Sequence, residues 1–278
     1  MRNWLENKTL LLTGASGGIG RQLCKLFIQK YKANVIGIGR SEEKMLTLKA
    51  ELGADSERFS YRLFDVSQKE NWQAFKTDLE NAGIFPIMLV NNAGIFPTFY
   101  PALNTNEETM ERVLKNNYLA TVYAVKTIFP LLKGTEKDKP AIINVASSAA
   151  LCTVVGTSAY SASKAALKAY TEALQLEEKD RAYVGLVCPG TTATELFRED
   201  KNTENSALDK IAMSADKMAK KIAKRILKKK KRSVVGWDAK CMNLVAKLMP
   251  VKGLFLIRWV MKKSKSKVFT NVFTDKND

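Results

Sequence analysis

Residues 13–20 read TGASGGIG, directly after the apolar run LLL at positions 10–12 and before a stretch with helical spacing. Gly14, Gly18 and Gly20 leave this turn with little side-chain bulk. Such a backbone can approach a pyrophosphate closely, and the free N–H groups of a helix start behind it carry partial positive charge toward the phosphates. Ser16 and Ile19 belong to the same turn. The plain alternative is a glycine-rich bend without a ligand; the flanking strand and helix favour dinucleotide binding. The spacing is not G-x-G-x-x-G, and no Lys-Ser/Thr pair follows the last glycine as a P-loop would need.

Outward from the turn, residues 8–13 read as a strand and 19–30 as a helix with Leu23, Phe27 and Ile28 on one side. Further strands are predicted over 34–38, 60–64, 87–90, 141–145 and 183–187. Helices are predicted between them over 42–52, 69–81, 107–132 and 159–178. The strands are short continuous apolar runs, as expected when both faces of a parallel sheet are covered by helices. The fold class is therefore α/β, a single doubly wound domain over 1–237 with a substrate lid at about 191–213. A helix over 215–232 and a last strand over 233–237 complete it, and 238–278 forms a basic and apolar C-terminal extension. In that extension Cys241, Leu244, Val245, Leu248 and Met249 recur at helical spacing, and 254–261 is apolar except for Arg258.

Composition narrows the chemistry. The 278 residues contain no histidine, which excludes Ser-His-Asp and Cys-His catalysis and most zinc sites, so no metal is expected. Four scattered cysteines fit reduced thiols in a cytoplasmic protein. No apolar run reaches the ~20 residues of a membrane-spanning helix, and the N-terminus does not read as a secretory signal. The net charge of +17 favours anionic partners, although general lysine richness with solvated faces accounts for it equally. The run Lys228 to Arg232 stands beside no reading module or stacking platform, so nucleic acid is not expected as a partner.

Further motifs follow in order. Residues 91–94 read NNAG after the fourth strand, Asn117 opens NYLA on the long helix, and Ser147 ends the fifth strand. Tyr160 and Lys164 form a Tyr-x-x-x-Lys pair within AYSASK, and Pro189-Gly190 follows the sixth strand. Together with the first loop, of the form T-G-x-x-x-G-x-G, this series resembles the short-chain dehydrogenase/reductase (SDR) family over roughly the first 235 residues. The glycine spacing is similar to that of its compact members; epimerases and dehydratases usually belong to the extended ones.

The resemblance implies a Rossmann-type fold, a nicotinamide cofactor and a catalytic set of Asn117, Ser147, Tyr160 and Lys164. Ser147 stands thirteen residues before Tyr160, the family's usual spacing, and Ser148 is the neighbouring alternative. By the same resemblance Asp65 and Val66 contact adenine, and Asn92, Ala93 and Gly94 line the adenosine side. Pro189, Gly190, Thr192 and Thr194 surround the nicotinamide. Tyr160 exchanges a proton with substrate while hydride passes between substrate carbon and nicotinamide. A tyrosine has an ordinary pKa near 10; the Lys164 ammonium and the cofactor's positive ring are expected to lower it. Ser147 positions the substrate oxygen, Lys164 holds the ribose, and Asn117 anchors a water. A dimer or tetramer joined through the two long helices is also implied.

At the end of the second strand the sequence is GIGRS over 37–41, with no acid to bind a ribose 2′-hydroxyl. Arg40 and Ser41 are placed for a 2′-phosphate, which predicts NADP(H), with NAD(H) the alternative; the plain reading of Arg40 is a surface residue opening the next helix. Phe96, Phe99, Tyr100, Leu151, Cys152, Val154 and Val155 are candidate walls for an apolar carbonyl or secondary alcohol. The extension, with Lys262, Lys263, Lys265 and Lys267 after its apolar stretch, could cover that pocket, pack in a dimer or rest on an anionic membrane. The competing function is a dinucleotide-binding regulator or scaffold without turnover. It would be marked by damage to the Ser-Tyr-Lys set, which is intact.

Overall fold

The computed structural model describes residues 2–194, 212–264, 266 and 269–273. Six strands follow the predicted order: β1 (Thr9–Thr13), β2 (Asn34–Gly39), β3 (Phe59–Leu63), β4 (Met88–Asn91), β5 (Ala141–Val145) and β6 (Tyr183–Pro189). Two short strands, β7 (Thr192–Ala193) and β8 (Met213–Ser214), pair with each other, and β9 (Arg232–Val235) ends the main sheet. The main sheet has the order β3-β2-β1-β4-β5-β6-β9, and every pairing in it is parallel.

Leu10, Leu11 and Leu12 show how one strand serves two helical layers. Successive side chains of a strand point to opposite faces. Leu10 and Leu12 pack with Leu23, Phe27, Ile222 and Ile226, from helix α1 (Gly18–Lys25), its π-helical continuation (Leu26–Lys30) and helix α7 (Ala215–Leu227). Leu11 packs with Trp72 and Phe75 of α3 (Lys69–Asn81) and with Ile128 of α5 (Ala120–Ile128). All three leucines are fully buried, each worth about 1.5–3 kcal/mol of transfer free energy. Strand order reverses between β1 and β4, which opens a crevice beyond the carboxyl ends of those strands.

Three predicted elements differ. The helix over 107–132 is α4 (Glu107–Leu114), a π-helical turn (Lys115–Leu119), α5 and a 3-10 turn (Phe129–Leu131) that accommodates Pro130. The helix predicted to 232 stops at Leu227, because Lys229 is left-handed (φ 49°) and the N–H groups of Lys229 and Lys230 close back on the carbonyls of Ile226 and Arg225. The last strand is correspondingly Arg232–Val235, and Gly236 at φ 116° turns the chain into α8 (Trp237–Leu248). The basic run is partly used internally: Lys229 Nζ donates to the Asp138 carboxylate at 3.2 Å and lies 5.1 Å from the Trp4 ring.

Helix α2 (Glu42–Glu51) follows β2, α6 (Ser158–Glu177) precedes β6, and α9 (Lys252–Lys263) follows Pro250. Of the expected lid, residues 195–211 lie outside the described residues, as do Lys265 and Lys267. Among the described residues no helix is long and apolar enough to cross a membrane.

Candidate active site

The glycine loop after β1 is shaped by contacts that side chains would obstruct. Gly14 (φ 65°) and Gly18 (φ 42°) occupy the left-handed region, and the Gly14 N–H donates to the Ile38 carbonyl at 2.8 Å. A Cβ on Gly20 would strike the Gly14 carbonyl and the Asn92 amide. The NNAG segment clamps this turn from the β4 side. Asn92 Nδ2 donates to the carbonyls of Thr13 (3.2 Å) and Gly14 (3.4 Å), and Thr13 Oγ1 accepts from the N–H groups of Asn92 (2.9 Å) and Ala93 (3.0 Å). Asn91 carries the tie across the sheet: its Nδ2 donates to Asn144 Oδ1 at 2.8 Å, and Asn144 Nδ2 donates to Thr171 Oγ1 at 3.0 Å. Buried amides satisfied in this way fix the strand ends without leaving orphaned polar groups.

The loop opens on a cleft of about 400 Å³ at the strand-order reversal. Of the residues expected around a cofactor, Gly14, Ser16, Gly18, Ile19, Arg40, Asp65, Val66, Asn92, Ala93, Gly94, Pro189, Gly190, Thr192 and Thr194 line it, with Ser147, Tyr160 and Lys164. Gly20 is packed behind the loop, and Ser41 is drawn aside to cap α2, its Oγ accepting from the Lys44 N–H at 3.3 Å. Asn117 lies in the π-helical turn, fully buried behind the cleft. Its Oδ1 accepts from Ile95 N–H at 2.7 Å, and its Nδ2 donates to the Ile95 carbonyl (2.9 Å) and to Ser163 Oγ (3.0 Å). Its side chain therefore braces the segment after NNAG, while its neighbour Asn116 lines the cleft.

Tyr160 and Lys164 lie one turn apart on α6, 6% and 4% exposed. Lys164 Nζ donates to the Val145 carbonyl at 3.1 Å and stands 5.8 Å from the centre of the Tyr160 ring. The expected lowering of the tyrosine pKa is not seen in the protein alone. Burial pushes Tyr160 up to about 12, with the Ser147 hydroxyl acting in the opposite direction. The same burial pushes Lys164 down to about 8. Low-polarity surroundings disfavour the charged form of both groups, and the ammonium is directed at a carbonyl rather than at the phenol. Ser147 Oγ accepts from Ala149 N–H at 3.1 Å and faces the cleft; Ser148 does not line it.

A second cavity, about 380 Å³ and apolar, meets the cleft at Ser147, Tyr160, Gly190, Thr192 and Thr194. Phe96, Phe99 and Val154 line it as expected, and Phe96 packs edge-on against the Tyr160 ring at 5.2 Å. Tyr100, Leu151, Cys152 and Val155 do not line it; Leu151 packs instead against the cluster of Leu167, Leu186 and Cys188. Their places are taken by the C-terminal helices, through Trp237, Cys241, Met242, Val245, Leu256, Ile257, Val260 and Met261. The helical spacing of 241–249 was readable, but not what it packs against. Asp238, at the start of α8, ties this wall to the loop after β6: its carboxylate accepts from Thr191 N–H at 2.5 Å and fills the place a Cβ on Gly190 would need.

Comparison with known proteins agrees with this geometry. The short chain dehydrogenase family model matches residues 8–205. The chain is 30% identical to benzil reductase ((S)-benzoin forming) of Saccharomyces cerevisiae over 202 residues, covering 70% of this chain and 76% of the relative. It is also 30% identical to 3-ketodihydrosphingosine reductase of Bos taurus over 269 residues, covering 90% and 78%. In fold it is similar to a short chain dehydrogenase of Burkholderia cenocepacia solved with NADP, with a TM-score of 0.75 at 21% identity, covering 91% of this chain and 98% of that one. The chain belongs to the short-chain dehydrogenase/reductase family, oxidoreductases that work between a CH–OH and a C=O group with a nicotinamide cofactor.

Proposed function

We propose that this protein is an NADP(H)-dependent reductase of apolar carbonyl compounds, with Tyr160 as the proton donor. The observation that carries the reading is the position of Tyr160 and Ser147 at the junction of a glycine-lined cleft and an apolar cavity. The cleft suits a dinucleotide: a turn whose glycines leave no side chain in the way, backbone N–H groups at a helix start, and Arg40 at the far wall. When bound there, NADPH supplies the hydride.

The protein's own residues supply the proton and the alignment. A buried phenol held up to about 12 keeps its proton throughout the neutral range, which suits donation to a carbonyl oxygen becoming an alkoxide. Ser147 would place that oxygen beside the phenol, and the packing of Phe96 on the Tyr160 ring holds the ring in place. Lys164 lines the cleft beside Tyr160 and, as an ammonium, would hold a ribose hydroxyl. Asn117 acts through Gly94 and Ile95, keeping the cleft wall against Lys164. The two relatives named above are both reductases, which supports this direction. In a dimer or tetramer, contact through α4, α5 and α6 would cover the exposed Leu114 and Leu176.

Two tests arise here. Arg40→Asp removes the guanidinium proposed for the 2′-phosphate and offers a carboxylate to a 2′-hydroxyl. NADPH affinity should fall by about 10- to 100-fold and the preference should move toward NADH, read from the KM for each dinucleotide. Equal use of NADPH by the variant would remove Arg40 from the site. The second test is the pH profile. Lys164 is charged below about pH 8 and neutral above it, whereas Tyr160 stays protonated across that range. Reductive kcat/KM should be level near neutrality and decline as pH rises through about 8. A rate that climbs through that range would contradict a charged Lys164 as the working form.

A further inference from the structure

Helices α8 and α9 close the apolar cavity with their inner faces, yet their outer faces are also apolar. Trp237, Leu244 and Leu248 follow helical spacing along α8 at 60%, 56% and 72% exposure. Val251, Phe255 and Trp259 continue the stripe onto α9 at 65%, 68% and 58%. So many large apolar side chains side by side mark a contact surface rather than ordinary surface scatter. Its charge has one sign. Residues 237–264 contain Lys240, Lys247, Lys252, Arg258, Lys262 and Lys263 but one acid, Asp238, which is buried against the Thr191 N–H. Trp237, Leu256 and Val260 are exposed and at the same time line the cavity, so its mouth opens within this surface.

We propose that α8 and α9 dock on an anionic lipid bilayer and that the cavity takes its substrate directly from that bilayer. The substrate class is a long-chain amphiphile with a carbonyl between its alkyl chain and its polar end. Each helix has 12 residues, about 18 Å long, too short to span a hydrocarbon core of about 30 Å but suited to lying in the interface with lysines at headgroup level. A second copy of the chain fits the surface less well. A two-fold contact would set lysine-rich faces against each other, with no exposed carboxylate among residues 237–264 to pair them. The polar end has a place as well: a cleft of about 380 Å³ walled by Asn106, Thr109 and Arg112 shares Tyr160 and Thr157 with the apolar cavity. Chain, carbonyl and head would then occupy the apolar cavity, the Tyr160 hydroxyl and the polar cleft in sequence.

The docking claim stands on the surface alone, and the substrate claim rests on the oxidoreductase reading; the test separates them. The full chain is sedimented with phosphatidylcholine vesicles, with and without phosphatidylserine, at low and high salt. Phe255→Glu/Trp259→Glu is the variant, since neither side chain lines the cavity. NADPH oxidation is read in parallel with a water-soluble ketone and with a long-chain ketone carried in the vesicles. Salt-sensitive binding to phosphatidylserine vesicles is expected, falling at least about tenfold in the variant because charged groups at apolar positions oppose insertion. The variant should keep its rate on the soluble ketone and lose at least about tenfold on the vesicle-borne one, in step with its lost binding. Wild-type protein that stays in the supernatant with phosphatidylserine vesicles at low salt overturns the proposal. So does binding that the variant retains in full, or a wild-type dimer that the variant converts to monomer without any vesicle binding. Vesicle binding with no NADPH oxidation on either ketone overturns the oxidoreductase reading and supports the docking face.

Discussion

Tyr160→Phe should lower turnover by about 10²- to 10⁴-fold, the usual contribution of a positioned acid or base, while dinucleotide affinity changes little. The substitution removes one oxygen from a ring that is 6% exposed and held edge-on by Phe96, so packing is retained. Ser147 keeps its bond from the Ala149 N–H, and Lys164 keeps its bond to Val145. What disappears is the proton donor at the junction of cleft and cavity. Steady-state rates together with a fluorescence titration of NADPH separate the two effects. Activity within about tenfold of wild type would place the donor elsewhere, below the range expected of a general acid. Loss of dinucleotide binding in proportion to activity would make Tyr160 a packing residue.

Gly20→Ala is the second large effect, and its sign opposes helix propensity. In an exposed helix the change from glycine to alanine stabilises by about 1 kcal/mol. Here the new methyl would collide with the Gly14 carbonyl oxygen and the Asn92 amide, which is backbone on one side and a hydrogen-bonded clamp on the other. Neither can yield without opening the loop that faces the cleft. An overpacking cost of about 1–3 kcal/mol is expected, which at this chain length lowers Tm by several degrees. Dinucleotide affinity should drop with it. Gly17→Ala is the control for stability, because a Cβ there meets no protein atom within 4 Å; Gly17 lines the cleft, so the variant's effect on binding is read separately. If both variants melt and bind like the wild type, the loop is not the tight cradle described.

The fold was readable wherever burial repeats a simple pattern. Runs such as Leu10 to Leu12 announce strands covered on both faces, and the glycines after β1 mark the crossing point of the sheet. Departures arose where the backbone changes without a change in side-chain pattern. The π-helical turn at Lys115–Leu119 inserts an irregularity into a helix whose apolar spacing looks continuous, and Asn117 is buried there as a brace. The end of α7 depends on Lys229 taking a left-handed conformation, which a run of lysines does not advertise. Arg40 was found on the cleft wall, but Ser41 went to the helix cap, a competing use open to any serine before a helix.

The apolar cavity was the least readable part. Segments close in sequence to Tyr160, such as Leu151 and Cys152, were natural candidates, but the sheet draws Leu151 into the core beside Leu167. The far wall comes from residues 237–261, far along the chain from Tyr160, through α8 and α9 and the Asp238 anchor. Only tertiary packing brings them there. Conversely, the expectation that Lys164 and the cofactor's positive ring together lower the Tyr160 pKa concerns the loaded site; in the protein alone burial sets the direction, and the Lys164 ammonium donates to the Val145 carbonyl.

The most direct test of the central claim is NADPH consumption by the purified full chain, followed by its near-ultraviolet absorbance, with a panel of ketones of increasing chain length. The account predicts oxidation of NADPH that strengthens with the apolar character of the ketone and is weaker with NADH. Tight NADPH binding without consumption on any member of the panel would contradict it and leave a dinucleotide-binding protein without reductase activity.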